Sequence, residues 1–382
     1  MTMQAYADTL DSLRQSGNFR SIPEPSTSHD IIDLSSNDYL GIAARTDLLQ
    51  QFFDEESHRR LPMTSAASRL LAADQSEYSL LEQRLSELYG NRAALLFNSG
   101  YHANTGLISS LAAEPGTLIV ADKLVHASII DGITLSKAPF TRFVHNDFNR
   151  LESILKKESP NHRRIIVAVE SVYSMDGDRT DLDILTDLKR RYPNILLYVD
   201  EAHAFGVLGD NGLGLCRSHS AFRDIDIIVG TFGKAAASMG AFCITDNHLR
   251  DYAINRARSF IFSTALPPLN CAWTRFVIDH ILGMDTRRQH LQSLSAALHQ
   301  GIAGTSFRTS QQPSHIQPVI IGNPSEAVAL SSRLLEHGFK VLPIRTPTVP
   351  PGTERLRISL SAALSLEHIH RFTNVLQALA CN

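Results

Sequence analysis

Ile195-Leu-Leu-Tyr-Val-Asp200 and Ile228-Val-Gly-Thr-Phe-Gly-Lys234 decide the fold. Each is a short apolar run that ends in polar groups. That pattern reads as a buried parallel strand delivering side chains at its carboxyl end. Working outward, similar runs recur at 93–97, 117–121, 141–144, 164–170, 226–231 and 240–244. Helical stretches separate them, for example 181–191 before Tyr192-Pro193. This alternation predicts an α/β layered fold around a mostly parallel seven-stranded sheet.

Upstream, residues 5–16 read as a short amphipathic helix with Tyr6, Leu10 and Leu13 on one face and Gly17 as its stop. A polar loop with Pro23 and Pro25 spans 18–30, and Ile31–Leu34 reads as a small strand. A helix is expected over 74–89, with Asp74 and Glu77 as a capping box and Tyr78, Leu81, Leu85 and Leu88 as its apolar stripe. After Pro267-Pro268 the rhythm changes to a long helical stretch over 269–303. Alternating segments follow near 315–322 and 354–360, then a helix at 366–380. The expected division is an N-terminal segment 1–45, a large domain 46–268 and a smaller C-terminal α+β domain 269–382.

The chain has 382 residues, 43% apolar and 20% charged, with a net charge of −3. No basic surplus points to nucleic acid or to an anionic membrane. No apolar run approaches the roughly 20 residues that span a bilayer. Cys216, Cys243, Cys271 and Cys381 form no C-x-x-C pair, so neither a zinc site nor a disulfide framework is expected. The N-terminus lacks the basic-then-apolar pattern of a secretion signal. A cytoplasmic protein without a metal is the expectation.

Asp200, His203 and Lys234 make a set suited to pyridoxal 5′-phosphate (PLP). A lysine holds the cofactor aldehyde, and a carboxylate beside the pyridine nitrogen favours the charged, electron-accepting ring. A lysine after a strand is usually just a solvated end. Here Gly233, Thr231 and Ala235-Ala-Ala-Ser-Met-Gly240 leave room for a flat ring. Asp200-Glu-Ala-His203 also occurs as the acidic box of helicases. That reading needs a phosphate loop of the form G-x-x-x-x-G-K-[ST] upstream, and none exists.

Asn98-Ser-Gly-Tyr-His-Ala-Asn104 joins a strand to a helix, where free N–H groups and the positive helix end favour a phosphate. Any strand–helix turn looks similar, so its weight comes from its place in the sheet. His126, just after a strand, is either a helix-start residue or a ring that stacks on a cofactor. In Ser171–Asp178, Asp176-Gly177 signals a turn and Ser174 is the candidate functional atom. Alternation in Arg355-Leu-Arg-Ile-Ser-Leu360 puts Arg355 and Arg357 on one face, suited to a substrate carboxylate or to a surface ion pair.

Taken in order, Ser36–Gly41, Asn98–Tyr101, His126–Ser128, Tyr173–Asp178, Val199–His203, Thr231–Lys234, Phe262–Thr264 and Arg355–Ala362 resemble the α-oxoamine synthases, fold-type-I PLP enzymes. The likeness covers about Asn37 to Ala363. It implies that Lys234 bonds the cofactor and moves protons at Cα. It makes Asp200 the pyridine-nitrogen partner, His203 the partner of the phenolic oxygen and His126 the stacking ring. Ser99, Gly100, Tyr101 and Thr231 fall at the phosphate. Ser263 and Thr264 reach the phosphate of a second subunit, which implies a homodimer. Asn37 and Arg357 take the amino-acid carboxylate, and Ser174 lines the site. Arg14, Arg20 and Arg345 are candidates to meet a carrier phosphate. Ile344–Arg357 is most like the biotin-pathway member, which condenses L-alanine with a pimeloyl thioester on CoA or a carrier protein. Siblings that use glycine or another acyl-CoA, and a non-catalytic partner subunit of the same fold, are the alternatives. Two runs depart from the family pattern: Met63–Arg69, where the family is glycine-rich, and Ala235–Ser238 after the lysine.

Overall fold

The structure is a computed structural model that describes residues 2–22 and 31–380. Pro23 and Pro25 of the expected polar loop lie outside the described residues, as does Cys381. The chain forms two compact units: residues 40–173 with 179–288, and residues 1–39 with 174–178 and 289–382.

The larger unit is built on a seven-stranded sheet. Its strands are β1 (Ala93–Phe97), β2 (Thr117–Asp122), β3 (Phe140–Phe143), β4 (Arg164–Glu170), β5 (Ile195–Asp200), β6 (Ile227–Thr231) and β7 (Ala241–Thr245), in the order β1-β7-β6-β5-β4-β2-β3. All pairings are parallel except those of β7, which runs antiparallel to β1 and β6. Strands β2, β5, β6 and β7 are buried almost throughout. Continuous apolar runs therefore fit, because helices cover both faces of a parallel sheet. Ile119, Ile166, Tyr198, Val229 and Cys243 from the sheet pack with Ala103, Leu107, Ile129 and Ile133 from helices Gly100–Ala112 and Ala127–Ser136. Burial of that scale, at about 25 cal/mol per Å² of apolar surface, is the main force holding the unit together. It also fixes the strand ends that carry Asp122, Glu170, Asp200 and Thr231.

The smaller unit carries an antiparallel sheet in which Arg355–Ser359 lies between Leu342–Ile344 and Ile316–Ile320. Ile32–Asp33 pairs in parallel with Phe339–Lys340. That pairing ties the N-terminal segment to the C-terminal residues, where the sequence suggested a separate segment 1–45. The boundary expected at 269 falls later. Helix Pro268–Leu282 packs on helix Ser76–Leu88 of the larger unit, and Gly283 separates it from helix Asp285–Ala303. The expected continuous stretch 269–303 is thus two helices. Helix Thr2–Gln15 forms, and its apolar side chains Tyr6, Leu10 and Leu13 are exposed in the single chain.

Candidate active site

Lys234 follows β6, and its Nζ lies 2.8 Å from Nε2 of His203, which follows β5. The two strands are parallel neighbours, so both side chains emerge from the same edge of the sheet. Asp200, the last residue of β5, is buried. Its Oδ1 accepts from the Ala202 N–H at 2.8 Å and its Oδ2 from Asn104 Nδ2 at 2.7 Å. Asn104 also donates to Ser128 Oγ at 2.9 Å and accepts from the Tyr198 hydroxyl at 2.7 Å. One buried amide thus joins the acid, the start of helix Ala127–Ser136 and the interior of β5.

His126 caps that helix: its Nδ1 accepts the Ser128 N–H at 3.2 Å and lies 2.7 Å from Ser128 Oγ. The capping contact makes His126 the helix-start residue that the sequence allowed, and it fixes the orientation of the ring. Burial lowers its pKa below the ordinary histidine value, and the nearby Lys234 adds to that against the opposing pull of Asp200. Neutral imidazole, with Nδ1 as the acceptor, is the form that suits stacking on a cofactor.

At β1, Ser99 caps helix Gly100–Ala112. Its Oγ accepts the His102 N–H at 3.2 Å and lies 2.8 Å from His102 Nδ1. Helix geometry leaves the first-turn N–H groups of Gly100 and Tyr101 without intrahelical acceptors. A Cβ built on Gly100 would come within 3.7 Å of Thr231 Cβ, so the helix start at Gly100 and the end of β6 at Thr231 are neighbours. Thr231 Oγ1 donates to the Gly240 carbonyl at 3.1 Å and accepts from Gly233 N–H at 3.3 Å. The helix-start N–H groups favour an anion at this point, beside Thr231, whose hydroxyl hydrogen is given to the Gly240 carbonyl. The Tyr101 hydroxyl is turned to Asp131. Ser263 and Thr264 lie beside the β1 end of their own chain: Thr264 forms a bridge with Ser68, and its carbonyl accepts from Asn98 Nδ2 at 2.5 Å.

The turn after Lys234 is pinned to helix Pro268–Leu282. Trp273 Nε1 donates to the Ala237 carbonyl at 3.3 Å and Asn270 Nδ2 to the Met239 carbonyl at 2.8 Å. Ser238 Oγ lies 2.7 Å from Thr274 Oγ1. The runs Met63–Arg69 and Ala235–Ser238 each contain an alanine with left-handed backbone: Ala66 at φ 49° and Ala237 at φ 44°.

In the smaller unit, buried Arg357 spreads its guanidinium over four acceptors. Nε donates to the Ser174 carbonyl at 2.6 Å and Nη1 to Ser359 Oγ at 2.6 Å. Nη2 reaches Asn37 Oδ1 at 3.1 Å and the Tyr39 hydroxyl at 3.4 Å. Arg355 pairs with Asp176. Gly177 allows this turn: it has φ +69°, and a Cβ there would meet the Ile316 carbonyl oxygen at 2.0 Å. Arg345 donates to the carbonyls of Gly17 and Phe19, and Arg20 lies 3.3 Å from Thr348 Oγ1. Arg14 pairs with Asp11.

The structure therefore brings Lys234, Asp200, His203, His126, Ser99, Gly100, Tyr101 and Thr231 to one edge of one sheet. It gathers Asn37, Ser174 and Arg357 in the other unit. Sequence reasoning did not single out Asn104, Ser128, Tyr198 or Glu170. Asn104 and Ser128 stand inside the quoted motifs, but a polar residue within a helix reads as ordinary until its partners are known. Among the described residues no group of three or more His, Cys, Asp or Glu side chains can hold a metal, and no helix is long and apolar enough to cross a membrane.

A match to the family "Aminotransferase class I and II" spans residues 29–376. The chain belongs to that family, as an α-oxoamine synthase. This α-oxoamine synthase is 46% identical, over 98% of its length and 99% of the relative's, to a Pasteurella multocida protein provisionally named 8-amino-7-oxononanoate synthase. A Haemophilus influenzae protein of the same provisional name is 43% identical over 97% of this chain and 99% of its own. Among solved structures, a serine palmitoyltransferase from S. paucimobilis with a bound PLP–myriocin adduct has TM-score 0.89 at 28% identity. The match covers 99% of this chain and 97% of that one. The 8-amino-7-oxononanoate synthase of Francisella tularensis has TM-score 0.77 at 28% identity, covering 92% of this chain and 98% of that one. The architecture described above is the fold-type-I architecture of these transferases.

Proposed function

We propose that this chain is a PLP-dependent C-acyltransferase that condenses L-alanine with a pimeloyl thioester, releasing CO₂ and the thiol carrier, to give 8-amino-7-oxononanoate for biotin synthesis. The observation that carries the reading is Lys234 Nζ at 2.8 Å from His203, beside an Asp200 fixed by Asn104 and a main-chain N–H. Pyridoxal 5′-phosphate is the cofactor. When bound, it supplies a sink for the electron pair left at the amino-acid Cα.

The residues present fit that group. Asp200, oriented by Asn104 and the Ala202 N–H, would face the pyridine nitrogen and favour the protonated ring. His203 would meet the phenolic oxygen, and neutral His126 would stack on the ring. Gly100, Tyr101, Ser99 and Thr231 would lie around the phosphate. Lys234 is the residue that would hold the aldehyde, and its amine, once free, would remove and return the proton at the alanine Cα. Arg357, with Asn37, would attract the alanine carboxylate with a guanidinium whose orientation is set by the Ser174 carbonyl and Ser359, and Ser174 lines the site. Loss of that carboxylate after the acyl transfer makes the step irreversible.

Alanine and the pimeloyl group are supported by the names of the full-length relatives and by the run Ile344–Arg357. Arg20 and Arg345 are proposed contacts for the acyl carrier, whether CoA or a carrier protein. Arg345 is partly desolvated and feels the charge of Arg20, both of which lower its pKa, and an anion would relieve that repulsion. A homodimer is proposed in which Ser263 and Thr264 serve the partner's phosphate. Exposed Phe262 and Leu71 in the larger unit suit burial against a second copy. The proposed location is the cytoplasm.

The test is a set of substrate pairs offered to the purified PLP-loaded protein: alanine with pimeloyl-CoA, glycine with acetyl-CoA, serine with palmitoyl-CoA. Turnover of the first pair is expected. Turnover of only the second or third would assign the chain to a sibling activity, and a wild-type protein that never develops the visible absorbance of lysine-bound PLP would overturn the cofactor assignment.

A further inference from the structure

Three carboxylates end neighbouring strands of the large sheet: Asp122 on β2, Glu170 on β4 and Asp200 on β5. Glu170 is in register with Asp200, and adjacent strands stand about 4.8 Å apart. Two anions that close, out of water, repel strongly. Two of the three are compensated. Asp122 has His145 Nδ1 at 3.0 and 3.1 Å from its two oxygens, and accepts the Leu124 and Asn146 N–H groups at 2.7 and 2.9 Å. Asp200 has Asn104 and the Ala202 N–H.

Glu170 differs. It is 2% exposed, the main-chain N–H of His126 faces its carboxyl, and its Oε1 has no hydrogen-bond partner among the described residues. The groups facing it are Asp200, Lys234, Asp122, Tyr173 and His126. Two of these are carboxylates, and none gives Glu170 a dedicated ion pair. Burial first, and then Asp200, push its pKa well above the ordinary carboxylate value, with Lys234 and the His126 N–H opposing.

We propose that Glu170 is a positioning residue held as a neutral carboxylic acid. It fixes the main chain at His126 and leaves Asp200 as the anion beside the cofactor nitrogen. Its charge state follows from the sheet alone; its consequence for the cofactor rests on the PLP assignment above. A neutral Glu170 lets one carboxylate pair with one pyridinium. An ionised Glu170 would put a second negative charge beside that pair and compete for Lys234. The arrangement follows the rule that neighbouring carboxyl groups divide their protonation states between them.

Infrared difference spectra of wild type against Glu170→Gln, recorded with and without PLP, test the charge state. The expected result at neutral pH is a protonated-carboxyl stretch in the wild type that disappears in Glu170→Gln; its absence from the wild type overturns the proposal. A second measurement follows the visible absorbance of lysine-bound PLP against pH. Glu170→Gln, neutral and able to accept the His126 N–H, is expected to keep the midpoint within about 0.3 unit, whereas deleting a real charge would move it by about one unit or more and overturn the proposal. Glu170→Ala is expected to weaken PLP binding about tenfold by releasing His126, with Glu170→Gln restoring it. Unchanged affinity in Glu170→Ala overturns the positioning role. If no form binds PLP, the cofactor assignment fails, while the infrared result still decides the state of Glu170.

Discussion

Asn104 Nδ2 donates to Asp200 Oδ2 at 2.7 Å, and the same side chain accepts from the Tyr198 hydroxyl. All three residues are buried. Replacing Asn104 with alanine would leave a carboxylate, a phenol and a serine hydroxyl short of partners away from water, each at about 1–3 kcal/mol. Asn104→Ala is expected to lower stability by at least about 2 kcal/mol and PLP affinity about tenfold. Asn104→Asp should be worse, because it sets a second carboxylate against Asp200. Urea unfolding and PLP titration measure the two effects.

Arg357 uses its guanidinium as a fork, with Nε, Nη1 and Nη2 all occupied by acceptors of its own unit. A lysine has one ammonium and cannot serve those directions at once. Arg357→Lys should raise the KM for alanine about ten- to a hundredfold while the absorbance of bound PLP is unchanged, since the residues proposed to hold PLP belong to the other unit. A loss of PLP absorbance in Arg357→Lys would contradict the division of labour proposed here.

Much of this was legible in the chain because a buried parallel strand is a short apolar run with polar groups at one end. Strands Ala93–Phe97, Arg164–Glu170 and Ile195–Asp200 lie at the expected limits. The end residues Asp200 and Lys234 carried the cofactor reading for the same reason. Features that depend on a partner were not legible. The capping box expected at Asp74 and Glu77 does not form. The helix begins at Ser76, whose N–H Asp74 accepts at 2.8 Å, while Glu77 turns to Arg275 at 3.5 Å. Helical periodicity runs on either side of Gly283, so the break inside 269–303 left no mark in the apolar pattern. Asn104 and Glu170 gain their meaning only from the register of β4 with β5 and from the helix packed above them.

Glu201 follows Asp200 and is fully buried, and its Oε1 accepts the N–H groups of Leu215 and Cys216 at 2.8 and 3.2 Å. Burial pushes its pKa from 4.5 up to about 7, against the opposing pull of those hydrogen bonds. A carboxyl raised in the folded state binds its proton more tightly there than when unfolded. Its contribution is fully present below about pH 4.5 and is lost as pH rises through about 7. At 1.36 kcal/mol per unit, the swing is at most about 3 kcal/mol. Glu201→Gln should flatten this part of the stability–pH curve and be more stable than wild type above pH 7. The check is unfolding midpoints of both proteins at acid and at slightly alkaline pH. A wild-type curve that rises across that interval because of Glu201 would contradict the assignment.

Ala66 and Ala237 occupy left-handed backbone, at φ 49° and 44°, in the runs 63–69 and 235–238. A Cβ there costs roughly 1–2 kcal/mol, and glycine avoids that cost while adding about 0.4–1 kcal/mol of unfolded-chain entropy. The difference favours glycine by about 0.5 kcal/mol at each site. Ala237→Gly and Ala66→Gly are each expected to raise the melting temperature by about 1 °C. Their effects on turnover should differ. The Ala237 carbonyl is held by Trp273 and its N–H by the Lys234 carbonyl at 2.9 Å, so Ala237→Gly loosens the turn that carries the lysine. Ala66 lies in a run whose Ala67 carbonyl accepts the Ala265 N–H at 2.9 Å, next to Ser263 and Thr264. Ala237→Gly should therefore change kcat, through proton movement by Lys234. Ala66→Gly should act on PLP retention instead, through the segment proposed to reach the partner's phosphate. Single-turnover kinetics with alanine, set beside PLP dissociation rates for the two variants, would separate these effects. Equal changes in both quantities for both variants would show that the turns act only through overall stability.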